Sequence, residues 1–77
     1  MKLLGFSTVV FPEAGSYTAW CIELDVASQG DSLEEAIDNL KEAMELHIEC
    51  LTASELRELR QKHGMRFLTT VEVKVPA

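Results

Sequence analysis

The side chains of this 77-residue chain that could do acid–base, metal or nucleophilic chemistry are thirteen Asp and Glu, two His and two Cys. Their spacing is what limits them. Two-metal phosphodiester chemistry needs carboxylates converging from several elements. Residues 3–11 contain no acid, and residues 67–75 contain only Glu72. His47 and His63 have no second ligand at a recognised metal spacing, so His47 reads as a core or interface imidazole and His63 as a favourable charge near a helix end. Cys21 and Cys50 lack an adjacent base with an orienting third group, and both read as small buried hydrophobes. No catalytic residue, metal ligand or cofactor site is expected, and the chain reads as a binding protein.

Charge narrows the class of partner. The net charge is −6 and is unevenly placed: residues 1–50 carry two lysines against ten acids, residues 51–77 five basic residues against three acids. An acidic front repels phosphate backbones and suits a basic protein; the plainer account is a solubilising surface. Arg57, Arg60 and Lys62 alternate with Glu55 and Glu58, with no aromatic among them to stack bases, and read as a solvated face. No direct nucleic-acid binding is expected. No apolar run approaches the roughly 20 residues needed to span a bilayer, and no leader with a small-residue cleavage site is visible. The reading is a soluble, cytoplasmic chain without a membrane partner.

One domain spans residues 1–77. Residues 3–11 (LLGFSTVVF) are β-branched and aromatic and predict a strand, with a turn at residues 12–16 (PEAGS). Residues 17–24 alternate, Thr18, Trp20, Ile22 and Leu24 on one face and Tyr17, Ala19 and Cys21 on the other. A third strand is expected near residues 26–29. Ser32 and Glu35 form a capping box in which Ser32 accepts the Glu35 amide and Glu35 reaches back to the Ser32 amide. Leu33, Ala36, Ile37, Leu40, Ala43, Met44, His47 and Leu51 then recur at helical spacing, an amphipathic helix of about five turns. Thr52 and Glu55 form a second box, with Leu51 and Leu56 as its staple, opening a shorter helix over residues 53–63; Gly64 suits its cap. Residues 67–75 alternate again. The fold class is α+β in the order β-β-β-α-α-β: an antiparallel meander plus a C-terminal strand, helices on one face, strand order 3-2-1-4.

Residues 15–49 are more specific. Tyr17-Thr18-Ala19-Trp20-Cys21-Ile22-Glu23-Leu24, then Gln29-Gly30-Asp31-Ser32-Leu33-Glu34-Glu35-Ala36, then Leu40-Lys41-Glu42-Ala43, resembles the HicB-like antitoxin family. Its pattern looks like Y-x-A-x-C-P-E-L, Q-G-D-T-x-E-E-A and N-x-x-E-A. The chain departs from it with Ile22 at the usual Pro and with Asp25-Val26-Ala27 where Pro-Gly-Cys is common. The resemblance implies a partial RNase H-like fold and a small basic RNA-cleaving toxin as partner, neutralised by covering its active site. Many members append a DNA-binding domain; with the chain ending at Ala77, none is expected here.

Trp20 reads either as core or partly buried packing, alternating with Ile22 and Leu24, or as an interface anchor. Glu23 and Asp25 read either as turn acids or as contacts to a basic partner. These three are the candidate partner-binding set. A short chain without a disulfide framework gains burial by assembling, so a homodimer or homotetramer is expected, with Tyr17, Ala19, Cys21, Thr69 and Val71 as candidate contacts. The rival function is a stand-alone oligomeric scaffold or ligand-binding module with no toxin partner.

Overall fold

In the computed structural model, which describes residues 3–62 and 69–76, three strands precede two helices: β1 (Thr8–Glu13), β2 (Ser16–Cys21), β3 (Val26–Gly30), α1 (Leu33–Glu49) and α2 (Ala53–Lys62). This is the expected α+β arrangement of an antiparallel meander followed by helices. The sheet order is β1-β2-β3, both pairs antiparallel. The β1–β2 hairpin closes on two residues, Ala14 at φ 49° and Gly15 at φ 85°. Positive φ at both central positions matches the right-handed twist of the flanking strands.

Pro12 belongs to β1, not to the turn where its missing N–H suggested it. The Ile22 amide donates to the Ser7 carbonyl at 3.0 Å. Counting by two from Ser7, the backbone groups of Val9, Phe11 and Glu13 also face β2, and those of Thr8, Val10 and Pro12 face outward. An outward Pro removes no ladder bond.

Directly paired residues share a face of the sheet. Thr8, Val10 and Pro12 therefore lie with Cys21, Ala19 and Tyr17, and these with Val26, Ser28 and Gly30. This face carries α1: Ala19, Cys21 and Ala36 are 0% exposed and Leu40 is 2% exposed, with Phe6, Val10, Leu24, Val26 and Met44 around them. The contact is close. A Cβ on Gly30 would collide with the Ala36 amide nitrogen and lie 2.7 Å from the Glu35 carbonyl carbon, so only glycine lets β3 end against the first turn of α1.

Both helix starts are capped as their sequences suggest. Ser32 Oγ accepts the Glu35 amide at 3.1 Å, but Glu35 Oε1 reaches back to the amide of Asp31, one residue before the expected one, at 3.3 Å. In α2 the box is reciprocal: Thr52 Oγ1 accepts from Glu55 at 3.1 Å and Glu55 Oε1 accepts the Thr52 amide at 2.9 Å.

The C-terminal strand is where expectation and structure part. Residues 69–76 belong to no strand, and Val71, Val73 and Val75 are 76%, 74% and 77% exposed. His63, Gly64 and Phe67 lie outside the described residues. Nor does α2 pack substantially on any other element. The radius of gyration, 15.1 Å, accordingly exceeds the roughly 11.5 Å of a compact chain this long. Cys50, read as buried, is exposed, and so is His47, whose core reading thereby fails while its interface reading is untouched. The physical reason is length: α1 buries Ala36 and Leu40 and half-buries Met44, and its last turn runs past the sheet.

Candidate functional site

Among the described residues, no helix packs on the face of the sheet opposite α1. Register sets out its side chains in two cross-strand rows, Val9–Trp20–Ala27 and Phe11–Thr18–Gln29. Trp20 is half-buried and Phe11 is 40% exposed, so an apolar and aromatic strip meets solvent here. Trp20 Nε1 donates to Asp25 Oδ1 at 2.9 Å. Asp25 holds φ 52°, a left-handed conformation that a short polar residue tolerates, and this turn brings its carboxylate back over the indole edge. At the other end of the strip the Thr18 hydroxyl donates to Glu13 Oε2 at 2.8 Å. Glu13 and Asp25 are both exposed. The arrangement is an apolar centre with a carboxylate at each end.

Of the candidate partner-binding residues, Trp20 and Asp25 are brought together and Glu23 is not. Both Glu23 carboxylate oxygens accept the Ser7 amide, at 2.8 and 3.1 Å, and the Cys21 thiol lies 3.7 Å from Oε1. Glu23 thereby ties the segment before β1 to the end of β2.

The face assignment of β2 is reversed from the expected one. Ala19 and Cys21, candidate oligomer contacts, are enclosed beneath α1, whereas Trp20 faces away from it. The cause is the close approach of α1, which admits small side chains and would be held off by an indole. Tyr17, Thr69 and Val71 are exposed and remain available. Val9, Phe11 and Glu13 are the members of the open face that sequence reasoning misses. The period-two pattern of β1 contains them, but only the register places them beside Trp20 and Thr18.

Burial pushes the Cys21 thiol above its ordinary 9.0; the Leu24 backbone opposes this and the negative charge of Glu23 adds to it. A thiol so placed is a poor nucleophile. Among the described residues, no three His, Cys, Asp or Glu side chains group as a cation site, and no helix is long and apolar enough to cross a membrane.

One curated relative, UPF0150 protein ssr1765 of Synechocystis sp. (strain ATCC 27184 / PCC 6803 / Kazusa), is 55% identical over 40 residues, 51% of this chain and 51% of its own. The match thus spans about half the length of each. No protein-family model matches the chain, and no solved structure does.

Proposed function

We propose that this chain is an antitoxin-like binding protein, not an enzyme, that neutralises a small basic RNA-cleaving protein by covering its active site. The observation that carries the reading is the open sheet face: Trp20, Phe11 and Val9 between the carboxylates of Glu13 and Asp25, on a chain of net charge −6. A basic nuclease keeps cationic side chains around the groove that holds RNA phosphates. An apolar strip with acids at both ends supplies the complementary charge and an aromatic anchor. The resemblance of residues 15–49 to HicB-like antitoxins points to the same class of partner.

The test is co-expression with the product of whichever adjacent gene encodes a small basic protein, followed by size-exclusion chromatography and an RNA-cleavage assay. Co-elution and inhibited cleavage are expected. Trp20→Ala should weaken inhibition by a factor of about 30 or more, the cost of losing an aromatic anchor, while circular dichroism stays unchanged. Absence of a complex, or inhibition indifferent to Trp20 and Asp25, would overturn the reading. The second reading, an oligomeric scaffold without a toxin partner, is favoured by the exposed Val71, Val73 and Val75.

A further inference from the structure

We propose that residues 69–76 form the missing fourth strand in trans, pairing with the open edge of β1 in a second copy of the chain, which returns the same segment. This does not depend on the toxin reading.

Four observations carry it. The segment Thr69-Thr70-Val71-Glu72-Val73-Lys74-Val75-Pro76 has valines at period two, with a charge of each sign between them. Such a segment is built for one apolar face in a sheet, yet its valines stand about three-quarters exposed. Second, α2, which leads to it, has no substantial contact with its own sheet.

The third observation is the asymmetry of the two sheet edges. By the alternation fixed at Ser7, the backbone groups of Ala27 and Gln29 face outward from β3. Asn39 Nδ2 of α1 donates to the Gln29 carbonyl at 2.8 Å, so that edge is already engaged. The edge of β1 offers the N–H and C=O of Thr8 and Val10 and the carbonyl of Pro12. Because α1 lies mainly over β3 and β2, the helix side of β1 has room beside Val10. Val71, Val73 and Val75 of the second copy fit there, with Glu72 and Lys74 on the opposite face.

The fourth is area. The chain exposes 6529 Å², whereas a folded monomer of 8.6 kDa exposes roughly 4,700 Å². The excess is larger than the roughly 800 Å² per partner that a stable interface needs. Reciprocal exchange uses it twice and closes on a two-fold axis.

The experiment uses the full chain. Light scattering after size exclusion should give a two-chain mass for the unaltered protein, and hydrogen exchange by NMR should show protected amides within residues 71–75. The double variant Val71→Asp/Val73→Asp should self-associate about 100-fold more weakly with the helical circular dichroism signal unchanged, because it alters only exposed positions outside the helices. Val10→Pro removes an outward N–H from the receiving edge without a ladder bond of its own chain. Mixed one to one, the two variants should form a heterodimer, since one intact segment and one intact edge remain. An unaltered protein that stays single-chain, with or without protected amides in 71–75, would overturn the exchange. So would a double variant that dimerises as tightly as its parent.

Discussion

Cys21 and Cys50 carry the same side chain in opposite surroundings. Cys21 is fully enclosed between the sheet and α1, and Cys50 is exposed just past the end of that helix. A thiol-alkylating reagent at pH 8 should modify Cys50 within minutes and leave Cys21 unreacted until the chain unfolds, as mass spectrometry of timed samples would show. The raised value of Cys21 has a consequence for stability. The folded chain holds this proton more tightly than the unfolded one, so its contribution is complete below the unfolded thiol's pKa and is lost as pH rises through the higher folded value. Urea midpoints should therefore fall at pH above 9.0, and a Cys21→Ala variant should fall less steeply. Among the candidate site residues, Asp25 was legible as a carboxylate at a strand end. Its bond to Trp20 was not, because that bond depends on a left-handed φ that sequence does not announce at a non-glycine residue.

The two capped helix starts give the elements different sensitivities. At α1, Gly30→Ala would press a methyl group into backbone, where no side chain can swing away. A loss of about 3 kcal/mol is expected, read from denaturant midpoints; Gly15→Ala, whose Cβ meets open space but sits at positive φ, should cost about 1 kcal/mol. At α2, the Thr52 backbone amide and then its hydroxyl hold the Glu55 carboxyl below its ordinary 4.5. The sign follows: this help is present above the unfolded carboxylate's pKa and is lost as pH falls through the depressed folded value. An NMR titration should place Glu55 below the ordinary value, and Thr52→Ala should move it part of the way back. Both boxes could be read from sequence because they are contained within four or five residues. The faces of β2 could not: Tyr17, Ala19 and Cys21 are as apolar a set as Thr18, Trp20 and Ile22. Bulk favours the second set for a core, whereas the approach of α1 selects the first. The fourth strand was legible as a pattern of alternating valines, but period two says nothing about which sheet, or whose, receives it.

For the molecule as a whole, charge should govern how fast a basic partner arrives. If the open face receives one, the association rate should drop about tenfold or more between 0.05 and 0.5 M salt, while dissociation changes less; stopped-flow measurement of Trp20 fluorescence reads both. A rate indifferent to salt would remove charge from the account of recognition. The enclosed core has a further consequence. Among the described residues the buried apolar side chains are Ala19, Cys21, Ala36 and Leu40, and three of these side chains are small. So little sealed volume leaves the lone chain opening often, and whatever occupies it holds it shut by mass action. If a companion binds, survival among proteases should rise with its amount, excess chain being trimmed away while the matched fraction persists.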